Sequence, residues 1–264
     1  MSDEQRGWEV EPGDPASGVI LHVPHASRLI PPAERGRLLL DGAALEAELD
    51  AITDADTDLL AEAACERAGK RPWVFVNRNS RLLVDPERFP DDREEMLEVG
   101  MGAVYLRTTD RRELREPDPE DDERLMEKFY WPYAKALEGL VQERLDKLGQ
   151  VLIVDIHSFP REPLPYELHG DQARPSLCIG TDPGHTPRSV IDTAKSAWSG
   201  SVELNQPFSG CYVPERFSGK DDRVRSVMLE IRRDVIAEWR DEPSATGSNS
   251  SVVTAIAAVI NAEV

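Results

Sequence analysis

Residues 151–159 read VLIVDIHSF. Four apolar residues in a row have the composition of a strand built for burial on both faces, yet the run ends on Asp155 and His157. Alternate residues of a strand point to one face, so a regular strand sends these two side chains the same way. An acid and an imidazole delivered together at the end of a buried strand ask for a chemical reason, and the surrounding sequence supplies the frame for one.

Further strands are expected at GVILHVP (18–24), WVFVN (73–77), RLLVD (81–85), SLCIG (176–180) and in the centre of VRSVMLEIRRDV (224–235). Helices are expected over 43–69 with a break near Thr53, over 121–149 with Pro132 allowing a kink, over 187–198 and over 251–264. Thr53 followed by Asp56 resembles a capping box with Asp in place of Glu. Strands alternating with helices imply an α/β fold, a central mixed, mostly parallel sheet flanked by helices. One domain over 18–264 is the simplest division, after a polar lead-in over 1–17. The charged segment 86–120 is too long for a passive connection, and is either a functional loop region or partly disordered.

Composition narrows the partners. Lys and Arg number 31 against 50 Asp and Glu, a net charge of −19. A nucleic-acid surface is excluded on that balance, because phosphate binding is driven by positive charge. Solubility and a small-molecule or protein partner fit it. The three cysteines, Cys65, Cys178 and Cys211, are odd in number and form no CxxC, which points to a reducing cytoplasm rather than a disulfide framework. The N-terminal MSDEQRGWEV is too polar for a signal peptide, and no apolar run approaches a membrane span. Nothing in the sequence sets an oligomeric state.

Ligands of α/β sheets gather beyond the C-terminal ends of the strands. His25 follows the first such strand, His157 ends the opening one, and Glu230 lies on the late one. These residue types suit a hydrolytic zinc site, which takes three protein ligands and keeps a position for water. His22 and His25 differ by an odd number, so His25 is the ligand candidate and His22 a packed or hydrogen-bonded core histidine. Asp54 and Asp58 in TDADTD are spaced to share a helical face, with Asp54 preferred as third ligand and Asp58 its alternative; both also suit a helix N-terminus electrostatically. Glu230 shares its strand face with Met228 and Arg232, while Val227, Leu229 and Ile231 take the other. A carboxylate there can accept a proton from water and pass it on. Arg78, Arg81 and Arg88 surround Asp85, and arginine binds carboxylates bidentately. His169 and His185 sit in loop-like sequence and read as surface residues. There is no P-loop, HExxH or GxSxG.

Taken in order, VPHAS (23–27), TDADTDLL (53–60), SRLLVDPERF (80–89), VDIHSF (154–159) and LEIRRDV (229–235) resemble the N-formylglutamate amidohydrolase family, from about residue 18 to 240. The resemblance implies a zinc-carboxypeptidase-like α/β fold, a Zn2+ cofactor, and hydrolysis of N-formyl-L-glutamate to formate and glutamate in histidine degradation. It implies that His25, Asp54 and His157 hold zinc, that Glu230 is the general base and then acid, that Arg81 and Arg88 hold substrate carboxylates, and that Asp155 orients His157. The familiar Asp-x-Asn-Arg motif reads Asp85-Pro86-Glu87-Arg88 here, and a Glu87 facing the pocket would repel a substrate carboxylate. Two other readings keep the scaffold: a zinc carboxypeptidase or deacylase with a different substrate, and a non-catalytic binding protein.

Overall fold

In the computed structural model, which describes residues 7–241 and 251–262, VLIVDIHSF is a nine-residue strand buried at every position. In chain order the elements are β1 (Trp8–Glu11), β2 (Val19–Val23), the helical turn α1 (Pro32–Arg35), α2 (Gly42–Ile52), α3 (Thr57–Cys65), β3 (Trp73–Asn77), α4 (Pro119–Leu125), α5 (Trp131–Leu148), β4 (Val151–Phe159), β5 (Leu177–Gly180), α6 (Arg188–Ala197), β6 (Val202–Leu204), β7 (Val224–Arg232), α7 (Arg233–Asp241) and α8 (Ser251–Ile260). The strands form one sheet in the order β1-β3-β2-β4-β7-β5-β6. Neighbours pair in parallel except β1 with β3 and β5 with β7. The sheet is therefore mixed and mostly parallel, as the alternation of elements implied.

Residue parity sorts the two faces. Leu21, Val23, Leu152, Val154, Ile156, Val227, Leu229 and Ile231 pack into one apolar cluster with residues of α3, α6, α7 and α8. Ile20, Phe75, Val151 and Ile153 form a second cluster on the opposite face, against Tyr133, Leu137, Val141 and Leu145 of α5. β4 lies between β2 and β7 and is covered on both sides, which is why it is apolar without alternation. The exceptions on its α5-facing side are Asp155 and His157.

Local chemistry explains the helix limits. Asp41 caps α2 by accepting from the Ala44 amide at 2.8 Å. Asp118 caps α4, with Pro119 in its first turn and acids at 120–122 beside the helix N-terminus. Between α4 and α5 one π turn occupies Met126–Tyr130. Pro132 follows it and supplies no amide to the helical ladder, so the bend expected there takes the form of a widened turn. Gly149, at φ 80°, closes α5 in the left-handed region.

Several sequence expectations are corrected, and two, the lead-in over 1–17 and the segment 86–120, gain detail. RLLVD (81–85) pairs with no strand; Leu82 and Leu83 are buried, but the segment turns. Ser80 accepts the Leu82 amide at 3.2 Å through its hydroxyl, and its carbonyl accepts the Leu83 amide at 2.9 Å. These local bonds compete with a ladder. Thr53 and Asp56 form no capping box: Thr53 ends α2, and Asp56 precedes α3 at φ 64° with no side-chain cap. The segment 1–17 contains β1, a strand on the sheet's edge. His185 is buried, not superficial; its Nδ1 donates to the Val224 carbonyl at 2.6 Å and its Nε2 accepts from the Gly219 amide at 2.8 Å. The segment 86–120 carries a 3-10 turn at Glu95–Val99 and joins α2 in an apolar cluster that includes Leu45, Leu49, Met96, Met101 and Tyr105. The closing helix ends at Ile260, and residues 263–264 of the expected helix lie outside the described residues.

The buried Glu34 ties α1 to the α4–π-turn region. It accepts from Arg124 at 3.0 and 2.7 Å and from Lys128 at 3.0 Å. The Arg124 hydrogen bonds, with Lys128, hold its carboxyl down from 4.5 to about 2. A depressed carboxyl stabilises the fold fully above its unfolded pKa, and that contribution disappears as pH falls through the folded value. Glu34→Gln is therefore expected to lower the unfolding free energy by about 1.5–3 kcal/mol at neutral pH. In urea titrations the gap from the native chain should close between pH 4.5 and pH 2, the two limits of the shift.

Candidate active site

The site lies where β2, β4 and β7 end. In register, His22 is opposite Asp155 and His157 opposite Glu230. Parity puts all four on the α5-facing side. His25 follows the end of β2, and Asp54 stands in the turn between α2 and α3, where its amide donates to the His25 carbonyl at 3.0 Å. The Asp54 carbonyl in turn accepts the Thr57 hydroxyl at 2.7 Å.

These segments bring three ligand atoms together. His25 Nδ1 is 3.2 Å from His157 Nδ1. Asp54 Oδ2 is 3.2 Å from His157 Nδ1 and 3.7 Å from His25 Nδ1. All three residues are buried. The far side of each ring faces carboxylates. His25 Nε2 lies 2.9 Å from Asp85 Oδ1. His157 Nε2 lies 3.1 Å from Glu87 Oε2 and 3.2 Å from Asp155 Oδ2. Protons on Nε2 leave both Nδ1 lone pairs and a carboxylate oxygen aimed at one region, an arrangement that a cation satisfies. Two imidazoles and a carboxylate are also a donor set of catalytic zinc. The residues fit the metal on chemistry and proximity together: the three ligand atoms lie within 4.8 Å of one another.

Asp58 takes no part. It is partly exposed on α3, 3.5 Å from Arg78. It does not share a helical face with Asp54, because Asp54 precedes the helix. Arg78 also pairs with Glu9 and is partly exposed.

Glu230 lines the same pocket as the three ligand residues. Burial, with the nearby Asp54 charge and against the pull of His157, pushes its carboxyl up to about 7. Its Oε2 is buried with no hydrogen-bond partner. A carboxyl placed so exchanges a proton near neutral pH.

The pocket holds about 180 Å³. Segments 85–96 and 158–169 both contribute to its wall. Arg81 is committed, donating to Asp85 Oδ2 at 2.6 and 3.1 Å and to the Tyr105 hydroxyl at 3.0 Å. Arg88 is held loosely, 3.6 Å from Asp85 and 3.5 Å from Glu94, and its buried Nε has no hydrogen-bond partner. His169 is exposed, as expected, but on the pocket wall.

Sequence reasoning missed two parts of this wall. Asp85 appeared only as an acid among arginines, yet it supports His25. Arg233 carried no local signal, yet it donates to the Ala51 carbonyl at 2.8 Å and the Asp50 carbonyl at 3.3 Å and lies 3.7 Å from Asp54 Oδ1. Glu87 lines the pocket, as its place in the motif allowed, but its oxygens are directed at His157 and His22.

If Asp54 is the third ligand, Asp54→Asn should weaken zinc binding by more than about 100-fold in chelator competition, exceeding the 10–100-fold typical of outer supporting groups. Asp58→Asn should leave it unchanged.

Known proteins share the sequence pattern and the fold. Residues 17–237 match the family described as N-formylglutamate amidohydrolase. The N-formylglutamate amidohydrolase of Ralstonia eutropha JMP134 superposes with a TM-score of 0.73 at 18% identity, covering 97% of this chain and 95% of that one. A gene product of Agrobacterium tumefaciens superposes with a TM-score of 0.68 at 22% identity, covering 99% of this chain and 94% of that one. No curated protein matches the sequence.

Proposed function

The chain belongs to the N-formylglutamate amidohydrolase family, and on that premise we propose that it is a zinc-dependent amidohydrolase cleaving the formyl-type N-acyl amide of a small amino acid such as N-formylglutamate. The observation that carries this reading is the convergence of His25 Nδ1, His157 Nδ1 and Asp54 Oδ2 in a pocket that also holds Glu230. His25, Asp54 and His157 would hold the metal, which when bound polarises an acyl carbonyl and acidifies water.

The remaining work falls to the chain. Glu230 accepts the proton of the attacking water and returns it to the amine that leaves. A carboxyl raised to about 7 is a stronger base than an ordinary glutamate and still releases its proton readily. Arg88, with its buried Nε unpartnered, binds a substrate carboxylate, and Arg81, fixed by Asp85 and Tyr105, is the second arm of the clamp. The oxygens of Glu87 face the imidazoles of His157 and His22, so its charge is partly answered there. A pocket of about 180 Å³ favours a small N-acyl amino acid over a peptide terminus. Among the described residues no helix is long and apolar enough to cross a membrane; we place the activity in the cytoplasm, on the free cysteines and the small substrate.

A panel of N-acyl amino acids offered to the zinc-loaded protein tests the substrate class; release of formate from N-formylglutamate is expected, and no turnover of any member would overturn the reading. Glu230→Gln should keep its zinc and lose about 10²–10⁴-fold in kcat. Arg88→Ala should raise KM with a smaller effect on kcat, since it removes binding common to substrate and transition state.

A further inference from the structure

His22, Glu87 and Asp155 form a second cluster directly behind His157. Asp155 Oδ1 lies 2.9 Å from His22 Nδ1, and its other oxygen is 3.2 Å from His157 Nε2. Glu87 spans the same pair of rings, with Oε2 3.1 Å from His157 Nε2 and Oε1 3.4 Å from His22 Nδ1. Two carboxylates are thus inserted between two imidazoles. His22 is fully buried and its Nε2 meets the Tyr133 hydroxyl at 2.6 Å, which extends the chain of contacts to α5.

If His157 gives its Nδ1 to a metal, it carries its proton on Nε2 and is neutral. Glu87 and Asp155 then stand together on the Nε2 side of that ring, with His22 in contact with both of them. The single N–H of His157 lies between two acceptors, and Nε2 is aligned for a standard hydrogen bond with neither. The Glu87 amide is itself 3.2 Å from Asp85 Oδ1, the oxygen that supports His25. The turn carrying Asp85 and Glu87 therefore reaches behind both rings.

We propose that Glu87 is a positioning residue: with Asp155 it brackets Nε2 of His157, and His22, in contact with both carboxylates, keeps them in place, so that Nδ1 of His157 is presented to the metal. This rests on the reading that His25, Asp54 and His157 hold zinc. The same three side chains, His22, Glu87 and Asp155, are also close enough to hold a cation of their own. The hydrogen bonds of both His22 nitrogens favour the positioning role, and metal stoichiometry separates the two.

The experiment is zinc titration of the full chain against a chromogenic chelator, read as affinity and stoichiometry, on the native protein, Glu87→Gln, His22→Gln and the double variant. The native chain is expected to bind one zinc. Glu87→Gln, checked for native circular dichroism, should still bind one but about 10–100-fold more weakly, the range for loss of a carboxylate supporting a metal-bound histidine. The double variant should lose less than the product of the single losses, because both act through one cluster. Zinc affinity of Glu87→Gln within twofold of native would overturn the proposal, and that variant is decisive if His22→Gln does not fold. Two zinc ions in the native chain, one of them lost in Glu87→Gln, would overturn it in favour of a second metal site. No zinc in the native chain would instead bring down the metal reading on which the proposal stands.

Discussion

The parallel ladder through β2, β4 and β7 is the constraint on which the site depends. It places His22 opposite Asp155 and His157 opposite Glu230, and no flexible segment has to be ordered to do so. A slip of one residue in β4 would turn Asp155 and His157 into the apolar layer under α3 and α8 and bring Val154 and Ile156 to the pocket. The register is held by the same alternation that builds the two cores. Packing energy and site geometry are therefore set by one pattern.

The second constraint is charge. Asp54, Asp85, Asp155, Glu87 and Glu230 all stand within or against a low-dielectric region, and isolated ionised carboxylates there would be prohibitively expensive. The arrangement answers most of them individually. Arg81 takes Asp85, the histidines face Asp54, Glu87 and Asp155, and Glu230 Oε2 is left without a hydrogen-bond partner. That last omission separates a base from a set of ligands and supports. Burial raises the Glu230 carboxyl, whereas the imidazoles and Arg81 hold Asp54, Glu87 and Asp85 below the usual carboxylate range.

The sequence made the sheet and most of the site legible because their signals are local. Burial makes β4 apolar, parity sets Glu230 apart from Val227, Leu229 and Ile231, and the histidines stand at strand ends. What was hidden depends on the third dimension. RLLVD has the composition of a strand, but Ser80 turns it and no neighbour is available to pair it. Asp54 and Asp58 are equivalent on a helical wheel until the break after Ile52 leaves Asp54 outside the helix. His22 is a core histidine, as parity required, but its partners Tyr133 and Asp155 are over a hundred residues away and cannot be read from its neighbours. Arg233 is one of two adjacent arginines, and only its approach to the end of α2 distinguishes it.

That arginine has a mechanical meaning. It follows directly on β7, the strand that carries Glu230, and it grips the last carbonyls of α2, the helix that leads into Asp54. Glu230 and Asp54, the proposed proton acceptor and the proposed carboxylate ligand, thus belong to one braced unit, although they are 176 positions apart in the chain. Tolerances at a reacting centre are near half an ångström. In this fold the tie from Arg233 to the end of α2 links the two segments directly, so that a shift in either one is transmitted to the other.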